Sequence, residues 1–465
     1  MPQELKRELG LREVVATVMT SVIGGGLFLT TVQIQNKVYV GSNVIFAYII
    51  AAIPALFIAL SYAVLSSTIP GSGGDYLYIS RILDPYLGFI TTWVRWFGMV
   101  AGIAAIAIGD LQLINNMFNA TGWTSAVNFV NEYQTAIAVG IVLLFLGINY
   151  LGVKIYGWVQ DAMFVILLSG ILLFIILGMP HINIHTLQES ARGNAMDIFR
   201  AASIIFFSYI GFAAIADAGG EVKEPKKNLP RGIVISVLSI SAIYILVTLV
   251  TYGSTDLSTV VHEGNVPAIA MLFLPSMVGL YISFTAFIAL VSDINPSILA
   301  TSRLTFAWAK DSVVPKKLSE LSRYHTPKWT LLMNAGIAIF IILAFKEFIE
   351  AIDITTIAIL LTYAMVAITV FVLPIKRPDL WEKAEVKYRG TWLIALGGFT
   401  STFLLLGLII QTSITQFIVV VLWVAVGSVI YYLTLTKHQL HWRIAREARK
   451  GLENLEKEII GRFKK

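Results

Sequence analysis

The chain has 465 residues, 57% of them hydrophobic and only 13% charged, with a mean hydropathy of +0.78. A soluble chain carries about 25% charged residues, so this composition excludes an ordinary globular protein and indicates an integral membrane protein with many spans. The absence of cysteine excludes disulfides and thiolate metal sites, and the net charge of +6 acquires meaning only on a topology.

Residues 1–12 are polar and basic, and the apolar run that follows is long, broken by glycine and without a small-residue cleavage site, so no secretory signal is expected. Runs of about 20 apolar residues span a bilayer as helices. Twelve are predicted, at 12–35, 43–66, 88–116, 133–151, 156–179, 197–218, 232–254, 267–301, 329–345, 350–374, 391–411 and 415–436. The third and eighth exceed one crossing and should tilt or extend beyond the membrane. The tail at 437–465 carries Ile444, Leu452, Leu455, Ile459 and Ile460 at helical spacing among basic residues. It reads either as an amphipathic helix on an anionic inner leaflet or as a solvated basic tail.

With the N-terminus inside, the inner segments hold 29 of the 34 lysines and arginines. The outer segments hold Lys37, Arg192, Arg200 and Lys346, and Arg95 lies within a helix. The positive-inside rule then places both termini in the cytoplasm of a multi-pass plasma-membrane protein.

The first run contains Ser21-Val22-Ile23-Gly24-Gly25-Gly26-Leu27-Phe28. Three consecutive glycines each give up about 1 kcal/mol of helix propensity against alanine. Backbone unwound in hydrocarbon also leaves polar groups without partners, so a break is tolerable only against protein or an aqueous cavity. Freed amides at the start of a half-helix suit an anion and freed carbonyls a cation; the competing reading is glycine for close helix packing. The sixth run has a second weak point, Phe206-Phe207-Ser208-Tyr209-Ile210-Gly211-Phe212, five segments later. Breaks in corresponding helices fit an inverted repeat of five plus five, about 12–179 and 197–374, with two helices appended at 391–436, and favour a binding site at the breaks.

These residues resemble the amino acid–polyamine–organocation transporter family. The resemblance rests on Ile23-Gly24-Gly25-Gly26-Leu27-Phe28, on Pro70-Gly71-Ser72-Gly73-Gly74-Asp75-Tyr76, and on Phe207-Ser208-Tyr209-Ile210-Gly211-Phe212. Glu221-Val222-Lys223-Glu224-Pro225 through Pro230, and Ser302-Arg303 through Ala309-Lys310-Asp311-Ser312 to Pro315, follow in family order. The likeness implies an all-α fold of twelve transmembrane helices in which the two broken helices hold a substrate midway across the membrane. By position, the amides of Gly25 and Gly26 would receive an amino acid's carboxylate, and the carbonyls of Val22, Phe207 and Ile210 its ammonium, with Ile23, Gly24, Ser208 and Gly211 completing the site. Many relatives carry Ser or Thr where this chain has Gly25, so a hydroxyl contact is lost. Phe206, Phe207, Tyr209 and Phe212 offer aromatic surface for gating or specificity, Phe207 first among them; helix packing is the competing role for all four.

Ionisable residues at depth each need a reason. Arg95 could pair with an acidic substrate, with a helix carboxylate such as Asp293, or snorkel toward the cytoplasm. Asp110, Asp161 and Asp217 are expected near hydrated helix ends. Proton-coupled relatives carry a lysine midway along the fifth helix; ungapped counting puts Leu167 there, so the lysine is missing. Asp293, with Ser292, is expected to replace it as the ion-coupling site, taking up a proton or holding sodium, the proton being favoured. The competing reading is a structurally neutralised aspartate in an uncoupled exchanger.

The function expected is a secondary permease of amino acids working by alternating access; exchange without ion coupling and polyamine or organic-cation transport are the alternatives. Expected partners are the amino acid, a proton or sodium, and the lipid bilayer, with no nucleic acid and no cofactor. No phosphate loop or metal-ligand spacing suggests an enzyme. A channel would need a continuous pore, and a transport-dead nutrient sensor is argued against by the intact glycine break.

Overall fold

In the computed structural model, residues 5–120, 122–344 and 350–434 are described. The tail at 437–465 lies outside them. The architecture is all-helical, with isolated β-bridges such as Leu9–Val222 and Ser72–Ala218 among the described residues.

Each predicted run falls on helix, but the eighth, expected at 267–301, divides into Val266–Phe273 and Ser276–Lys310 at Leu274–Pro275. Among the described residues nine helices are long and apolar enough to cross a membrane, and eleven if each of two bent pairs counts as one span. The ninth run forms a shorter apolar helix, Lys328–Ala344. The first run is one of the bent pairs, Leu11–Val22 and Gly26–Lys37, meeting at 42°. The other joins Thr124–Glu132 to the fourth run's Gln134–Tyr150 at 77°. The third and eighth runs are long, as their length in sequence predicts: Pro85–Ala120 and Ser276–Lys310, 36 and 35 residues.

The centre is built where the two broken runs meet the seventh, Pro225–Gly253, the second, Val44–Thr68, and the eighth. Small residues allow this proximity: a side chain at Gly170 of the fifth run would strike Thr285 of the eighth at 2.1 Å. A second hub is aromatic. Trp93 stacks on Trp423 of the twelfth run at 4.9 Å, and Trp308 meets Phe89 edge-on, tying the third, eighth and twelfth helices together.

Candidate functional site

Both breaks lie midway along their runs. In the first, Val22 ends the leading half-helix, Ile23 turns extended (φ −82°, ψ 93°), and the chain re-enters helix through a π-turn over Gly26–Thr30. Such wide turns are uncommon and gather at functional sites. In the sixth run the helix Ala195–Ile205 tightens to 3₁₀ over Phe206–Tyr209, Ile210 goes extended, and Gly211 takes φ +132° before the short Ala214–Asp217 helix.

The two breaks touch. Ser208 Oγ donates to the Gly26 carbonyl at 3.1 Å, and a β-carbon on Gly26 would stand 2.6 Å from that of Ser208. A β-carbon on Gly211 would stand 2.2 Å from the Ser21 carbonyl oxygen. One hydroxyl bridges them: Tyr244, from the seventh run, donates to Val22 O at 2.9 Å and to Ser208 O at 2.8 Å. Tyr48 adds a bond to Gly26 O at 3.1 Å and shares another with Thr31 Oγ1 at 2.7 Å. Buried carbonyls freed by the breaks are thus satisfied by tyrosines of the surrounding helices, as burial demands.

What remains open is narrow. Gly24, Gly25, Phe207, Ile210 and Gly211 are half-buried, while Val22, Ile23, Gly26, Ser208, Phe206, Tyr209 and Phe212 are buried. The expected ligand set divides accordingly. The Val22 carbonyl already accepts from Tyr244, and the Phe207 carbonyl accepts from the Ile210 amide at 3.1 Å. Of the four aromatics, Phe207 alone keeps accessible surface. Tyr209 donates to the Tyr48 carbonyl, and Phe212 stacks on Tyr363 at 5.2 Å.

Arg95 is a correction. Asp293 is not its partner: Arg95 lies 2.8 Å from Asp75 and 2.7 Å from Asp217, all three essentially fully buried. Asp217, expected at a hydrated helix end, is sealed because the loop 70–74 folds over it, Gly73 N–H donating to its carbonyl at 2.8 Å. Asp161 pairs with Arg12 at 3.0 Å. The side chain of Asp110 lies outside the described residues.

Asp293 is half-buried and accepts a long 3.5 Å bond from Ser297, with no cationic partner among the described residues. The buried Ser292 hydroxyl donates to its own helix at Ala289 O. The fifth-helix residue facing this wall is Gln160, not Leu167, which is buried in the apolar core. Gln160 touches Thr20 Oγ1 of the first helix, donates to Ser292 O at 3.2 Å and accepts from Asn295 at 2.6 Å. Gln160 stands about two helical turns before the position that ungapped counting gives. Gln160 and Tyr244 are buried polar side chains within apolar runs, and the amide of Gln160 beside Asp161 was the available signal.

Comparison with known proteins identifies the family. The amino acid permease family model matches residues 9–436. The branched-chain amino acid permease BcaP of Bacillus subtilis is 26% identical over 94% of each chain. The methylthioribose transporter of the same organism is 27% identical over 94% of this chain and 95% of its own. Its serine/threonine exchanger SteT is 27% identical over 79% and 84%.

Proposed function

Because the chain belongs to the amino acid permease family, a family of membrane transporters, we propose that it carries amino acids across the plasma membrane by alternating access, with the substrate held between the two broken helices and both termini in the cytoplasm. The observation that carries this reading is the pair of contacting breaks whose half-buried backbone is Gly24, Gly25, Ile210 and Gly211. Glycine at 25 leaves the substrate's carboxylate to backbone amides, where a helix start favours an anion. The side chain would meet Phe207, Leu29 and Leu290, an apolar lining that suits aliphatic amino acids. Arg95 is held between two buried aspartates and is therefore withdrawn from any acidic substrate.

Transport is coupled to a cation through Asp293. Its support is a carboxylate in the middle of Ser276–Lys310 with, among the described residues, one weak hydrogen bond and no counter-charge. A proton is favoured over sodium, since Ser297 Oγ is the one oxygen hydrogen-bonded to it among the described residues. Purified protein in vesicles should concentrate labelled leucine or valine on an imposed pH gradient, and Asp293→Asn should still equilibrate substrate but no longer concentrate it. Concentration by the variant equal to wild type overturns the coupling assignment. Failure of every amino acid to be taken up or exchanged, with methylthioribose transported instead, overturns the substrate class.

A further inference from the structure

The cluster at the inner end of the sixth run holds an imbalance of charge. Two carboxyls, Asp75 and Asp217, face one guanidinium, Arg95, and the exposures are 0%, 0% and 2%. Arg95 engages Asp217 with both terminal nitrogens, at 3.2 and 2.7 Å. Toward Asp75 it offers proximity, 2.8 Å from Oδ2, yet neither oxygen of Asp75 receives a hydrogen bond of normal geometry, the Tyr62 hydroxyl facing it included. Three tyrosines complete the walls: Tyr62 of the second run, Tyr78 beside Asp75 on the helix Gly74–Ile82, and Tyr363 of the tenth. All are fully buried, and none of their hydroxyls closes a hydrogen bond of normal geometry. The next buried charges, Arg303 and Glu221, neutralise each other through two bonds of 2.8 Å and contribute no spare positive charge.

A net negative charge sealed from water is among the most expensive arrangements a protein can hold, and a carboxylate with unmade hydrogen bonds adds to it. A proton on Asp75 removes the excess charge and gives that carboxyl an O–H with which to make a hydrogen bond. We propose that the Asp75–Arg95–Asp217 cluster binds one proton, carried on Asp75 and given in a hydrogen bond to the facing Tyr62 hydroxyl. Asp217 stays ionised on its bidentate arginine. The inference rests on the charge count of this cluster and is independent of the substrate assignment and of Asp293.

The three members ride on different elements. Asp217 ends Ala214–Asp217, the inner half of the broken sixth run; Arg95 stands on the long third helix, and Asp75 on the Gly74–Ile82 helix. The proton therefore fastens the inner half-helix to its neighbours. Losing it leaves two carboxylates competing for one arginine, and the half-helix undocks.

Infrared spectroscopy of the reconstituted protein at neutral pH tests this directly through the C=O stretch of protonated carboxyls. Asp75→Asn and Asp217→Asn should each remove the absorbance of one carboxylic acid, since one arginine then faces one carboxylate. Asp293→Asn leaves that component in place. Equal absorbance in wild type and in both folded cluster variants overturns the proposal. So does a melting temperature that rises with sodium or potassium chloride in wild type but not in Asp75→Asn, which identifies a metal cation instead. The docking role has its own readout, because the chain lacks cysteine. Ala214→Cys, buried at the inner half-helix, should label faster from the cytoplasmic side as pH rises, beyond the same label's rate on Ala214→Cys combined with Asp75→Asn. An identical pH dependence in the two removes the docking role.

Discussion

The two breaks solve one problem by opposite means. The first announces itself with three glycines, yet none of them takes a positive φ, and the run re-enters helix through a π-turn. The second has a single glycine in an aromatic stretch, and that glycine carries φ +132° against the Ser21 carbonyl. Glycine count is thus a poor guide to need. At the first break the demand is contact, concentrated at Gly26; at the second it is backbone conformation and contact together, concentrated at Gly211.

The comparison is broken most severely at Gly211. Gly211→Ala combines a conformation costing of order 1–3 kcal/mol for an L residue with an overlap costing about as much again. The variant should express poorly, melt well below wild type and lose uptake in vesicles. Wild-type melting would mean the break tolerates side chains and the contrast is false. Gly26→Ala comes next, without conformational strain, because its β-carbon would stand 2.6–2.7 Å from three atoms of Ser208. An overpacking cost of about 1–3 kcal/mol is expected. Adding Ser208→Gly should recover only part of the loss, since the α-carbon at 208 is itself 2.7 Å away.

Tyr244→Phe probes the link between the breaks. It keeps the ring and removes the single proton shared by the Val22 and Ser208 carbonyls. Leaving buried acceptors unpaired costs about 1–3 kcal/mol. The melting temperature should fall less than for either glycine variant, while substrate affinity falls as the half-helices lose their fixed spacing. Unchanged affinity would show that the spacing is held by packing alone.

Much of this was legible beforehand, and the boundary of legibility has a physical reason. Apolar length placed the helices because each must satisfy its own backbone in lipid. The breaks at Gly24–Gly26 and Ser208–Gly211 were legible because weak helix formers interrupt strong apolar helices. The partners of the interior charges were not. Arg95 meets Asp75 and Asp217, which stand 20 and 122 residues away in the chain, and no local periodicity encodes such pairings. The hydrogen bond that Val22 O already accepts was not legible for the same reason: the tyrosine that makes it arrives from the seventh run.

The smallest effect is expected at Gly24, and it is the sharpest test of the comparison. A β-carbon there would find its nearest neighbours, Ala289 O and a Leu290 methyl, at 3.9 Å, which is ordinary contact. The position has no positive φ, so alanine also restricts the unfolded chain without straining the folded one. Gly24→Ala should therefore hold stability within about 0.5 kcal/mol of wild type. Uptake should survive as well, because the added methyl points to the eighth helix and not to Gly211 across the gap. Its neighbour separates stability from binding. At Gly25 a β-carbon already comes within 3.2 Å of Leu290, a flexible side chain that can yield, so Gly25→Leu should fold and yet fill the space assigned to the substrate's carboxylate. A folded Gly25→Leu that cannot bind, beside a Gly24→Ala that transports, would locate the carboxylate on one side of the first break. If Gly24→Ala is instead folded and transport-dead, the unwinding itself needs every glycine of the triplet, and the first break is as conformational as the second.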